Sequence, residues 1–399
     1  MSLSLADTVG KVRPSKTLAV AAKARELREQ GIDVINFSAG EPDFDTPQNI
    51  KDAAVKALQA GQTKYTAAGG TPELKKAVQA KLQRENGLTY TASQIIVNAG
   101  AKHTLFTLFQ ALLNDGDEVL IPAPYWVSYP DMVTLLRGKP IIIPTEAENN
   151  FEITVEDLQK YLTPRTKVLV LNSPANPTGS VYSQEKLQAL ADFLVDKNLY
   201  IVSDEIYEHF LYDGARFHSI AQLSEKIRAQ TIVVNGVSKA YSMTGWRIGY
   251  AAGPENVLKA MTVIQSQSLS NPTSIAQAAA VEALNGSQSA VDKMLKAFQE
   301  RRDYMCQFLL TIPGITCRCP QGAFYAFPDV SALYGKSCQG RKINNSEDLA
   351  ELLLTAAHLA VVPGSGFGAD NYIRLSYASS LENIRQGLAR LKDFAAALI

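Results

Sequence analysis

The 399-residue sequence has no surplus of charge of either sign: thirty-nine lysines and arginines stand against thirty-nine aspartates and glutamates. A chain without a net field has little means of holding a nucleic-acid backbone or an anionic membrane, so the expected partner is a small molecule. Long apolar runs are missing too. No stretch approaches a membrane span and residues 1–15 lack the apolar centre of a signal peptide, which makes the cytoplasm the expected compartment. Cysteine is scarce: Cys306, Cys317, Cys319 and Cys338 all fall in the last quarter of the chain. One close pair without a second is no zinc knuckle, and idle thiols in a reducing compartment are the expectation, with no metal. Neither GxGxxG nor a P-loop sequence is present, which argues against a dinucleotide or ATP. Internal repeats and low-complexity segments are absent as well.

What remains is an ordinary globular composition, 46% hydrophobic and 20% charged, with room for one large domain and a smaller one. Seven short apolar runs, at residues 95–97, 118–121, 141–143, 167–171, 200–202, 232–234 and 249–252, alternate with helical stretches. Runs of that kind are buried on both faces, so they predict an α/β protein with a mostly parallel, seven-stranded sheet wrapped by helices. Helical spacing predicts further helices over residues 18–30, 48–60, 72–86, 274–284 and 289–311. A second texture follows, with strand-like segments at 315–327, a helix over 347–357, and strands at 360–362 and 372–376. This reads as a smaller α+β domain to which the N-terminal helix returns. The predicted division is 46–288 for the large domain, and 1–45 with 289–399 for the discontinuous small one.

The loops after the apolar runs carry the chemistry. Residues 237–250, V-S-K-A-Y-S-M-T-G-W-R-I-G-Y, set Lys239 between the hydroxyl of Ser238 and the guanidinium of Arg247. Desolvation and a nearby cation lower a lysine's pKa and free its lone pair, so Lys239 is either a solvated surface charge or an imine-forming amine. N-A-G-A-K-H opens a helix at Gly100 and Ala101, where unpaired amides make a phosphate site; Lys102 adds charge there, faces a substrate, or is merely exposed. Trp126, in P-A-P-Y-W-V-S-Y-P, is a core residue or a platform for a flat ring at a strand end. Asn176 in N-S-P-A-N-P-T-G is a turn residue or an amide donor to a phenolate. S-D-E-I-Y puts Asp204 and Tyr207 at a strand's carboxyl end, where a carboxylate could hold a pyridine nitrogen protonated. Arg374 lies within the strand-like Y-I-R-L-S-Y and needs an anion, either an internal carboxylate or a substrate's. Gly40, in the turn-rich S-A-G-E-P-D-F-D-T-P, sits where backbone can approach a ligand, and Tyr65 precedes the flexible Gly69-Gly70 loop.

Taken in order, these motifs resemble the class I and II aminotransferases of fold type I, pyridoxal-phosphate enzymes, and S-K-A-Y-S-M-T-G-W-R-I-G is similar to that family's cofactor-lysine signature. Within it, E-P-D-F-D-T-P, S-D-E-I-Y-E and V-V-P-G-S-G-F-G look most like the bacterial and plant-plastid branch of aspartate and aspartate/prephenate aminotransferases. The resemblance implies that Lys239 holds the cofactor and shuttles the substrate's Cα proton, and that Asp204 keeps the ring nitrogen protonated. It implies that Asn176 and Tyr207 donate to the ring oxygen, that Trp126 stacks on the ring, and that Ser238, Arg247, Ala101 and Lys102 cradle the phosphate. Tyr65 would reach that phosphate from a second subunit, making a homodimer with shared sites. Gly40, Asn176 and Arg374 would grip the substrate's α-carboxylate, and Lys102, Arg13 and Thr17 are the expected contacts of a distal carboxylate. The expected reaction moves the amino group of L-aspartate to 2-oxoglutarate, with prephenate as a possible further acceptor. A carbon–sulfur lyase or another aminotransferase on the same scaffold, and a non-enzymatic ligand sensor, are the alternatives.

Overall fold

The computed structural model describes residues 5–12, 14 and 16–399. All seven apolar runs become strands of one sheet: β1 (Ile95–Asn98), β2 (Glu118–Ala123), β3 (Lys139–Pro144), β4 (Thr166–Asn172), β5 (Tyr200–Asp204), β6 (Thr231–Gly236) and β7 (Gly249–Ala252). Their spatial order is β1-β7-β6-β5-β4-β2-β3. Only β7 runs against the others, pairing antiparallel with both β1 and β6. The chain therefore leaves six strands at the same edge of the sheet.

Alternation within each strand serves two cores. Val119, Ile121, Val168 and Val170 pack against Leu105, Leu108, Phe109, Leu258 and Met261 on one face. Leu120, Leu169 and Ile201 meet Leu187, Leu190 and Leu194 on the other. Each such fully buried side chain contributes about 1.5–3 kcal/mol, which is why the runs are apolar at every position rather than at every second one.

The helix Pro72–Asn86 starts with Pro72 at its first position behind Thr71, whose hydroxyl accepts from the Leu74 amide, and stops at Gly87 in the left-handed conformation. These are the sequence signals of a helix beginning and end. The helix Glu255–Ser268 was not expected. Its consecutive Thr262, Val263 and Ile264 are poor helix formers, and packing of Val257, Leu258 and Met261 against the sheet supplies what propensity does not.

The rest of the chain forms a second layer. Ile35–Asn36 pairs parallel with Leu359–Ala360, so the N-terminal segment is stitched to the C-terminal one. Val362–Pro363, Ile373–Ser376 and Tyr325–Ala326 make a separate antiparallel sheet in that order. The strand expected over 360–362 is thus two strands, because the chain changes sheets at Val361. Residues 315–327 hold only Tyr325–Ala326 as a strand; Pro320 and Gly322 interrupt the pattern before it. The helices Ser289–Leu309, Ser346–Ala356 and Leu381–Ala396 cover this layer, with Phe298, Phe324, Leu353, Leu388 and Leu391 in its core.

Candidate active site

The carboxyl ends of β4, β5 and β6 open on a cleft of about 500 Å³. Strand register puts Asn172 beside Asp204 at this edge. Loops leaving the strands bring in Trp126, Asn176, Tyr207, Ser238 and Lys239; the second layer contributes Gly40, Tyr325 and Arg374. Of the side chains and amides that the resemblance assigns to cofactor or substrate, all line this cleft except two. Tyr65 is 89% exposed and is not part of the lining, and Arg13 lies outside the described residues. Thr17 and Lys102 are both on its wall.

Asp204 is buried at the floor, where its Oδ2 accepts a 2.6 Å hydrogen bond from the Tyr129 hydroxyl. Burial pushes its carboxyl up to about 6, against the opposing pull of the Tyr129 bond, the Ile206 amide and the Lys239 charge. Asn172 Nδ2 donates to the Asp204 carbonyl at 2.9 Å and so fixes the backbone that presents it. Lys239 Nζ donates to the Gly40 carbonyl at 2.6 Å, beneath the rings of Tyr207 and Phe324. Desolvation first, and the Arg374 charge second, bring its amine down to about 8. A sizeable neutral fraction at physiological pH is the condition for attack on a carbonyl.

Arg374 is a buried cation without a carboxylate partner among the described residues. One Nη donates to Asn176 Oδ1 at 3.0 Å and the other to the Ser38 carbonyl at 2.8 Å, while Nε has no partner. The ring of Tyr325 lies 4.3 Å from its Cζ and that of Phe367 5.2 Å. Between the two readings open at the outset, the internal ion pair is not what the fold provides. The Tyr325 hydroxyl meets that of Tyr207 at 2.9 Å, linking the carboxylate-binding end of the cleft to its floor.

At the opposite end the helix Ala101–Leu112 begins at Gly100, which has φ 87° and offers no side-chain cap. Its first amides therefore face outward with the positive end of the helix dipole. A Cβ on Gly100 would stand 2.2 Å from Arg247 Nη2, and one on Gly249 would stand 2.3 Å from the Ala101 amide nitrogen. Two glycines thus let a guanidinium and a helix start converge on one point. Ser238, buried, lines the same cleft. Lys102 projects over the Trp126 indole at 5.0 Å, and its pKa is lowered by burial and by Arg247.

The model for aminotransferase class I and II matches residues 32–391. The chain belongs to the class I and II aminotransferases. The aspartate aminotransferase of Bacillus sp. strain YM-2 is 53% identical over 98% of both chains, and the aspartate/prephenate aminotransferase of Cereibacter sphaeroides is 50% identical over 99% of both. Among solved structures, the aspartate aminotransferase of Rhizobium meliloti superposes with a TM-score of 0.96 over the whole of each chain at 46% identity. That of Thermus thermophilus, solved with maleate, gives 0.92 over 98% of this chain and 100% of its own, also at 46% identity. The α/β architecture is that of fold type I, and aminotransferases of this family are pyridoxal-phosphate enzymes. The cleft fits that cofactor on three observations: a helix start and a guanidinium converging at Gly100 and Arg247, a buried carboxylate on the floor, and a partly neutral lysine in the same cleft.

Four residues of the site escaped the sequence reading. Tyr129 and Asn172 lie within motifs already noted, but nothing in a sequence says that a tyrosine six residues past one strand will reach an aspartate on another. Tyr325 and the Ser38 carbonyl come from the second layer, whose sheet pairings join segments far apart in the chain. The strand-like texture expected over residues 315–327 left the direction of Tyr325 open.

Proposed function

We propose that this chain is an aspartate aminotransferase that transfers the amino group of L-aspartate reversibly to 2-oxoglutarate, giving oxaloacetate and L-glutamate in two half-reactions, with prephenate as a further acceptor. The observation that carries the reading is a buried, carboxylate-free Arg374 in one cleft with a partly neutral Lys239. The names of the full-length relatives and the maleate in the Thermus structure, a dicarboxylate, support the substrate class.

Pyridoxal phosphate, when bound, supplies an aldehyde carbon for the amine and a ring that accepts electrons from the substrate's Cα. Lys239 would hold it covalently; Ser238, Arg247 and the Ala101 and Lys102 amides would hold its phosphate. Trp126 would lie on the ring's face and Asn176 with Tyr207 would donate to its oxygen. Asp204, kept in place by Tyr129, would hold a proton at the ring nitrogen. Arg374, with Asn176 and the Gly40 amide, orients the α-carboxylate so that the Cα–H bond faces Lys239. Lys239 Nζ, once released by the substrate's amine, would be placed to take the proton from Cα and return it on the cofactor side. Lys102, Thr17 and Arg13 are assigned to the distal carboxylate.

The working unit is a homodimer in the cytoplasm, in which Tyr65 completes the neighbour's phosphate site; its 89% exposure and its absence from the lining of its own cleft support this. No helix among the described residues is long and apolar enough to cross a membrane. We divide the chain into a large domain, 46–288, and a discontinuous small one, 1–45 with 289–399, that closes over the substrate. Mixing the loaded protein with aspartate alone tests the reading. The cofactor's absorbance should convert to its amine form with release of one oxaloacetate per site. Release of ammonia or pyruvate without a keto acceptor would assign a lyase instead, and no turnover with any amino acid would leave a sensor.

A further inference from the structure

Away from the cleft, three of the four cysteines gather on the second layer. Cys306 lies near the end of the helix Ser289–Leu309 and is buried; Cys319 lies on the exposed loop that follows, thirteen residues on. Their sulfurs stand 2.8 Å apart. That is about 0.8 Å more than the roughly 2.0 Å of a disulfide bond. Cys317, between them in sequence, instead donates to the Arg318 carbonyl at 3.3 Å.

The two thiols differ in the way that oxidation chemistry requires. Cys319 is open to solvent, and the hydrogen bond shared with Cys306, with the Arg302 guanidinium as a further cause, holds its pKa below the ordinary thiol value. Arg302 also donates to the Pro320 carbonyl at 3.3 Å, which keeps its charge beside this loop. The same shared bond and burial push Cys306 up, so it remains a protonated thiol until its neighbour has reacted.

We propose that Cys306 and Cys319 are a peroxide-responsive pair that closes to a disulfide. The Cys319 thiolate attacks a hydrogen peroxide oxygen, forming an S–O bond and expelling hydroxide. The Cys306 sulfur then attacks the oxidised Cys319 sulfur, breaking that S–O bond and releasing the second oxygen as water. Two thiols lose two electrons, the peroxide gains them, and both thiol protons end in the two waters formed. The bond would tie the helix to a loop that is held to the segment carrying Asn176: the Gln321 and Gly322 amides donate to the Gly179 carbonyl at 3.0 and 2.8 Å. Gly179 lies three residues beyond Asn176, which accepts from Arg374. The idle thiols expected from the sequence are, on this geometry, two idle and two reactive.

Thiol counting and peptide mapping of the loaded protein after mild hydrogen peroxide test this without reference to activity. The expected result is the loss of two of the four free thiols, recovered by dithiothreitol. Tryptic digestion should join peptide 303–318 to peptide 319–336, and the link should persist in Cys317→Ser and vanish in Cys306→Ser and Cys319→Ser. Cys319 is on the surface, so C319S keeps the test valid even where C306S disturbs the core. A link that survives in C306S and is lost in C317S, oxidation of Cys319 to a sulfinic acid without a link, or four thiols unchanged would each overturn the proposal.

Discussion

Replacing Asp204 by asparagine should make the cofactor-free protein more stable while disabling it. The carboxyl of Asp204 is raised from an ordinary 3.8 to about 6 in the folded chain, with burial the first cause. A raised carboxyl holds its proton in the folded state over a range in which the unfolded chain has already released it. Stability is therefore lost as pH rises from 3.8 through 6, and the loss is constant above that. At about 1.4 kcal/mol per tenfold, the deficit is about 1.6 kcal/mol at pH 5 and about 3 kcal/mol at pH 7.5. An asparagine has no proton to lose, and with its single oxygen turned to the Tyr129 hydroxyl it keeps the 2.6 Å contact and gives up only the long 3.4 Å bond from the Ile206 amide, so the variant escapes most of the deficit. Urea unfolding of both cofactor-free proteins, at one protein concentration and at pH 5, 6 and 7.5, reads the difference directly. It should favour D204N and grow by about 1.4 kcal/mol across that range. Glu205, also raised by burial, to about 8, contributes equally to both proteins and cancels. Transamination by the loaded variant should fall about 10²- to 10³-fold, the scale of losing one preorganised charge at a reacting group. A variant no more stable than the parent at pH 7.5, or a difference that does not change with pH, would refute the claim that the floor of the cleft stores this cost for a cationic ring.

The same logic governs the other end of the site. Arg374→Lys should keep the cofactor's absorbance but raise the KM for aspartate and lower kcat/KM by about 10²-fold or more, since a two-pronged grip becomes a point charge. Arg374→Met should go further and shift the pH midpoint for cofactor attachment upward from about 8, because the arginine's charge helps to hold Lys239 down; R374K should leave that midpoint nearly unchanged. Gly100→Ala adds a methyl 2.2 Å from Arg247 at a backbone φ of 87°, so the dissociation constant for pyridoxal phosphate, followed by fluorescence, should rise at least tenfold. Tyr65→Phe and Lys239→Ala should each be weakly active or inactive as homodimers, yet mixtures refolded together should regain activity above either parent, because one site of the hybrid takes its tyrosine and its lysine from different chains. Mixtures no better than their average would mean that Tyr65 acts within its own subunit or nowhere.

What the chain concealed follows a physical pattern. The seven strands were legible because a parallel sheet buried on both sides leaves no room for polar residues within a run, as in Val168, Leu169, Val170 and Leu171. Helices with marked ends were legible for a local reason too, as with Thr71, Pro72 and Gly87. The helix Glu255–Ser268 was not, since its stability comes from contacts that no local rule contains. The residues with reactive side chains announced themselves by being out of place: a lysine and an arginine among apolar neighbours need a reason. Tyr129, Asn172 and Tyr325 hid because a tyrosine or asparagine near a strand end is unremarkable until its partner is known. These hidden residues hold the reactive ones in place: Tyr129 and Asn172 fix Asp204, and Tyr325 lies against Arg374 and Tyr207. Chemistry is carried by residue type and so survives in a linear reading, whereas positioning is carried by distance. That difference predicts where two members of this fold with the same catalytic residues would diverge in rate: at the tyrosines and asparagines whose hydroxyls and amides set the angle of Asp204 and Arg374.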